Sequence, residues 1–118
     1  MWLPWRRFRI KGRVSRGVAI LDLKGKIVGP QAGKTLSEYM NRLLAANKKK
    51  IVLNLKKLRR IDNHGAAAFL AAYKLTEQKR GELKLASPRK EVRKVLDKVL
   101  LTVFVDVCPT EKDALNRF

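Results

Sequence analysis

Two short stretches of this chain hold residue types whose spacing invites chemistry. Gly29-Pro30-Gln31-Ala32-Gly33-Lys34-Thr35 is one residue short of a nucleotide phosphate loop. That loop needs four residues between its first glycine and the Gly-Lys-Thr, so that successive amides wrap the phosphates. Gly29, Gly33, Lys34 and Thr35 are therefore weak nucleotide-binding candidates. The plainer reading is a strand-to-helix loop with Lys34 in solvent. Asp62-Asn63-His64-Gly65 places the single histidine two residues from a carboxylate. No Ser or Cys stands near it in sequence as a nucleophile. One His with one Cys is a poor start for a metal site, which needs three or four convergent ligands. His64 reads better as an exposed loop imidazole touching a partner, and Cys108, beside Pro109, as a small packed apolar side chain. No catalytic residue, metal site or cofactor is assigned, and the chain reads as a non-enzyme.

Trp2, Trp5 and Phe8 alternate with Arg6, Arg7 and Arg9. Aromatic rings with Arg can stack on unpaired bases while neutralising phosphates. The same composition suits an anionic membrane surface. The plainer version is that Phe8 and one Trp cover a sheet edge while the arginines solvate the strand.

The elements that would position these residues follow from periodicity. Phe8, Ile10 and Val14 alternate with basic residues, as in an edge strand broken by Gly12. A second strand covers 17–23 and ends near Lys24-Gly25, and Gly29-Pro30 and Gly33 mark a loop. Leu36, Tyr39, Met40, Leu43 and Leu44 form the stripe of a helix packed on one side. Residues 51–55, rich in β-branched types, read as a buried strand. Asp62 to Gly65 is predicted to be an exposed polar loop before a helix over 66–80, with Asp62 or Asn63 capping its first amides and Gly81 closing it. In that loop Gly65 gives a partner room to approach, and Gly65→Arg would leave thermal stability within a few degrees. Residues 83–86 form a strand. Val92, Val95, Leu96, Val99 and Leu100 mark a third amphipathic helix, residues 102–107 a last strand, and Thr110 starts a short terminal helix. The order β-β-α-β-α-β-α-β-α implies an α/β sheet.

The chain has 118 residues, which allows one domain, with residues 1–16 as a basic arm or edge strand. Its 28 Lys and Arg against 10 Asp and Glu give a net charge of +18. A field this positive attracts nucleic acid, anionic lipid or an acidic protein, and says nothing about fold. Apolar residues at 46% suffice for a core, and one cysteine excludes an internal disulfide. The longest apolar stretches fall far short of the ~18 residues of a membrane span. Met1–Ile10 is too short and basic for a signal-peptide apolar region. The expectation is a cytoplasmic domain.

With this order of elements, five pieces carry a resemblance: residues 18–25, 51–55, 61–65, 81–85 and 102–104. In that order the chain resembles a STAS domain, and more closely the bacterial anti-sigma factor antagonists, over residues 17–118. The resemblance implies a mixed sheet of about five strands with about four helices, mostly on one face. It also implies protein–protein switching, with an anti-sigma factor kinase or related switch protein as partner and Asp62, Asn63, His64 and Gly65 as the binding segment. In such antagonists the segment reads Asp-Ser-Ser/Thr-Gly, and its first Ser is phosphorylated by that kinase. Here Asn63 stands at the serine position and has no hydroxyl to esterify, so no phosphoacceptor is present there. Two alternatives stay open: a basic nucleic-acid-binding protein on the same scaffold, and a soluble subunit of a membrane transporter.

Overall fold

The computed structural model describes residues 8–118; the expectations for Trp2, Trp5, Arg6 and Arg7 fall outside them. Five strands form one sheet in the order β1-β2-β3-β4-β5: β1 Phe8–Ser15, β2 Val18–Ile27, β3 Lys50–Ile61, β4 Glu82–Ala86 and β5 Asp106–Cys108. β1 runs antiparallel to β2, and the remaining neighbours are parallel. The helices are α1 Pro30–Ala45, α2 Asn63–Gln78, α3 Lys90–Lys98 and α4 Glu111–Asn116. This is the expected mixed five-stranded sheet with four helices.

Alternation along the strands sends side chains to two cores. Leu21 and Leu23 of β2, Ile51, Leu53 and Leu55 of β3, and Leu83 and Leu85 of β4 pack with Leu36 and Met40 of α1, Phe69 and Ala72 of α2, and Val92 and Leu96 of α3. The opposite parity, Val18, Ile20, Val52, Ala86 and Cys108, meets Ala114 of α4, with Leu115 and Phe118 alongside. Lys84 belongs to that second face. Although only 8% exposed, it reaches Asp106 at 3.4 Å and lies 5.0 Å from the Phe118 ring. A buried ammonium is tolerated because those groups receive its charge. Three helices thus cover one face, and the short α4 covers part of the other.

Several sequence-derived boundaries need correction. Gly12 does not break β1; the Tyr39 side chain of α1 closes over it where a β-carbon would stand. β2 does not stop at Lys24-Gly25 but continues to Ile27, and β3 continues past Leu55 to Ile61. The two pair throughout, with register irregularities between Asp22 and Lys24 and between Gly25 and Lys26. Leu58 and Ile61, both buried, are the apolar residues that hold this extension, and the basic residues between them hid it. α1 begins at Pro30, so residues 30–35 are helical and not a loop. Gly29 with φ 76° turns the chain into it, and proline at the first position needs no amide partner.

At the other end of α2, Gly81 does not take the left-handed position; Arg80 does, with φ 56°. A β-carbon on Gly81 would stand 2.5 Å from the Lys49 carbonyl oxygen, so this glycine permits a close backbone approach. The predicted strand over 102–107 is mostly absent. Leu101–Val103 forms a 3-10 turn, and β5 holds only three residues. Val99 and Leu100 lie beyond α3, and Leu100 is left-handed at φ 61°.

Candidate functional site

β2 and β3 end side by side at Ile27 and Ile61, and both chains then turn into helices. Asp62 sits at that junction. Its Oδ1 accepts a hydrogen bond from the Gly65 amide at 3.0 Å, capping α2. Its Oδ2 accepts from the Gly29 amide, also at 3.0 Å, and lies 3.3 Å from His64 Nδ1. One carboxylate therefore ties together the starts of α1 and α2. Burial works to raise its pKa, but the Gly29 and Gly65 amides, with His64, outweigh that and hold it below the ordinary carboxylate value.

The expected cap is present and belongs to Asp62, not to Asn63. Asn63 and His64 are already the first two helical residues, and both are exposed. Gly65 is neither in a loop nor exposed, contrary to expectation. It is buried in the first turn, where a β-carbon would stand 2.6 Å from the Ile27 carbonyl oxygen and 2.8 Å from Ile61 Cβ. The residue serves the close crossing of α2 over the strand ends, so Gly65→Arg would not be a mild loop change.

The phosphate-loop candidates separate. Gly29 joins the Asp62 junction through its amide. Gly33 faces Ala68, whose Cβ would lie 3.3 Å from a β-carbon at 33, so it sets how closely α1 approaches α2. Lys34 and Thr35 are exposed on α1, and the Thr35 hydroxyl donates back to the Gln31 carbonyl. The segment forms helix where a phosphate loop would leave amides pointing at the anion. Among the described residues, no group of three His, Cys, Asp or Glu side chains converges as metal ligands. Cys108 is buried, and desolvation pushes its thiol pKa up.

Beside Asn63 the surface opens into an apolar groove of about 210 Å³, lined by Asn63, Ala66, Ala67, Leu70, Val99, Leu101 and Phe104. Of its lining residues, Val99 is 41% and Phe104 58% exposed, and the neighbouring chain positions Leu100 and Val103 are exposed as well. The Phe104 ring leans on Tyr73, with centroids 6.2 Å apart. Sequence reasoning missed this groove because it placed Val99 and Leu100 on the apolar stripe of a helix and residues 102–107 in a strand. One signal was available: the run Val99-Leu100-Leu101-Thr102-Val103-Phe104 has more apolar residues in sequence than a one-sided helix end and an edge strand can bury.

A second concavity, about 710 Å³, lies on the α4 face where β4 and β5 end beside the middle of β3. Its main polar feature is Arg13, which donates to both Asp22 carboxylate oxygens and to Glu111, while Asn54 Nδ2 donates to Glu111 at 2.8 Å. The hydrogen bonds Arg13 donates to Asp22 and then to Glu111 raise its pKa, and Arg13 in turn is the main cause of a lowered Glu111 pKa. These groups satisfy one another and pin α4 to β1 and β3, which is a structural duty.

The comparisons agree with this geometry. The STAS domain model matches residues 9–114. An anti-sigma F factor antagonist of Paenibacillus polymyxa is 29% identical over 102 residues, covering 86% of this chain and 87% of that protein. An anti-sigma factor antagonist from Mycobacterium paratuberculosis superposes with a TM-score of 0.84 at 17% identity, over 99% of this chain and 97% of that one. The Bacillus cell fate determinant SpoIIAA in its phosphorylated form gives a TM-score of 0.68 at 22% identity, over 93% and 97% of the two chains. No helix among the described residues is long and apolar enough to cross a membrane. With the strand order, the helix layer and the match over residues 9–114 in agreement, the chain belongs to the STAS domain family.

Proposed function

We propose that this chain is a non-catalytic, cytoplasmic docking module. It binds an anti-sigma factor kinase, or a related switch protein, through the first turn of α2 and the apolar groove beside it. The observation that carries the reading is the pairing of two features at one place. Asn63 and His64 project from a capped helix start, and the apolar groove that Asn63 lines also holds the exposed Val99 and Phe104. Exposed apolar side chains rimmed by polar groups mark protein-binding surfaces. Asp62 and Gly65 build this surface from beneath, the first as cap and the second as the close-packed floor. The anti-sigma F factor antagonist of P. polymyxa, 29% identical to this chain, supports the class of partner.

Asn63 adds a second element to the proposal. A phosphoryl group at a helix start would bring about −1.5 to −2 charge next to the docking face. An amide side chain takes none, so docking by this chain would be constitutive with respect to phosphorylation at residue 63. The test is incubation with the anti-sigma factor kinase and ATP, read by peptide mass spectrometry over residues 60–66 and by affinity before and after. Expected are an unmodified peptide and unchanged binding. A phosphopeptide in that window, or no complex with any anti-sigma kinase of the host, overturns the reading.

A further inference from the structure

The sheet face turned away from α1, α2 and α3 carries an ordered array of cations where β2 and β3 extend beyond the end of β4. The register places Arg9 of β1 opposite Lys24 of β2, and Lys24 opposite Lys57 of β3, a row of three across adjacent strands. Lys11 lies two residues along β1, and Lys26 lies two residues along β2, opposite Arg60. Their neighbours Ile10, Leu23, Leu58 and Ile61 point into the core with α1 and α2, which sends these cations to the other side. Lys26 is half-buried and the other five are exposed. Asp22 is the one carboxylate on β1, β2 and β3, and Arg13 already occupies it. Lys11, Lys24, Lys26, Lys57 and Arg60 form no salt bridge among the described residues.

Like charges directly opposite each other destabilise a sheet, and a solvent-facing strand position accepts Thr or Glu equally well. The fold therefore gains nothing from setting Lys24 opposite Lys57. We infer that the face is a binding surface for an anionic lipid bilayer. The array is built from strand side chains at neighbouring register positions of three strands, so an extended field of headgroups meets several of them together. The one described helix on this face, the six-residue α4, is held down to β1 and β3 through Glu111, and among the described residues of the face no exposed ring offers bases a stacking platform.

The test is co-sedimentation of the full chain with vesicles of phosphatidylcholine, with and without about one-third phosphatidylserine, at low and physiological salt. Binding is expected only to the anionic vesicles and is expected to weaken with salt. Each basic residue near the surface contributes roughly fivefold, so Lys24→Gln/Lys26→Gln/Lys57→Gln should lose roughly a hundredfold. A control triple on the helices, Lys74→Gln/Lys79→Gln/Lys94→Gln, should lose no more than a few-fold. Thermal melts should show both proteins folded. Equal binding to neutral vesicles overturns the inference, as does an equal loss in the two triples. Binding to a short duplex DNA that the first triple abolishes, with vesicles ignored, would assign the face to nucleic acid instead.

Discussion

Replacing Gly65 by alanine tests the description of the α2 start more sharply than any change on its surface. A methyl group there would stand 2.6 Å from the Ile27 carbonyl oxygen and 2.8 Å from Ile61 Cβ. Neither obstacle is the free end of a flexible side chain, so α2 or the strand ends must move. The amide of Asp62 donates to the same Ile27 carbonyl at 3.3 Å. Moving either chain therefore disturbs the junction that Asp62 also holds through Gly29 and Gly65. Overpacking of this kind costs ~1–3 kcal/mol. Alanine recovers up to ~1 kcal/mol through its better helix propensity. The net expectation is a loss of roughly 1–2 kcal/mol, or a melting temperature lower by roughly 4–10 °C in a domain of this size. Thermal unfolding followed by circular dichroism, repeated in urea, measures it. Ala67→Arg, at an exposed position of the same helix turn, is the control and should stay within ~0.5 kcal/mol. A Gly65→Ala protein that melts at or above the parent temperature refutes the close-crossing account.

Asp62→Ala removes the cap of α2 and the tie to Gly29 together and should lower stability in urea by ~1–2 kcal/mol, with Asp62→Asn recovering part of it. Asp62 and Glu111 have folded pKa values below their unfolded ones, so the stability they lend is complete above the unfolded carboxylate range near pH 4 and is lost as acid takes the folded carboxylates through their lower values. Urea midpoints measured from pH 6 down to about 3 should therefore fall more steeply for the parent than for Asp62→Asn/Glu111→Gln. Phe104→Ala removes a ring that is 58% exposed; stability should change by less than ~1 kcal/mol, while affinity for the anti-sigma partner drops roughly tenfold or more, as an anchor in a binding groove would. Unchanged affinity in a calorimetric titration would remove the apolar groove from the docking surface.

Much of the architecture was legible because the buried positions obey simple periods. Leu36, Met40 and Leu44 at helical spacing, and Ile51, Leu53 and Leu55 at strand spacing, are all in the core. Thr110 also caps α4 as its position before Glu111 suggested. Legibility failed where two elements meet. The pairing of residues 24–27 with 57–61 is long-range, and a local window over Lys56-Lys57-Leu58-Arg59-Arg60 shows mainly charge. The Gly29–Thr35 segment looked like a loop because its glycines suggested conformational freedom, whereas Gly33 supplies room for Ala68. Gly65 misled in the same way: what appeared to be space for a partner is filled by Ile27 and Ile61. Between residues 99 and 104 the pattern suggests a helix end and a strand, and the structure instead leaves Val99, Leu100, Val103 and Phe104 on the surface.

The two edges of the sheet bear on how copies of this chain behave in concentrated solution. An open strand edge invites another strand to add on, and proteins resist this by shortening edge strands or loading them with charge. Here β5 ends one side after three residues, and β1 closes the other with Arg9, Lys11 and Arg13. Neither offers a long neutral template for polymerisation. The charge that draws an anion to the face of β1 also repels a second β1, so any assembly this domain enters must form through its faces and helices rather than by extending its sheet.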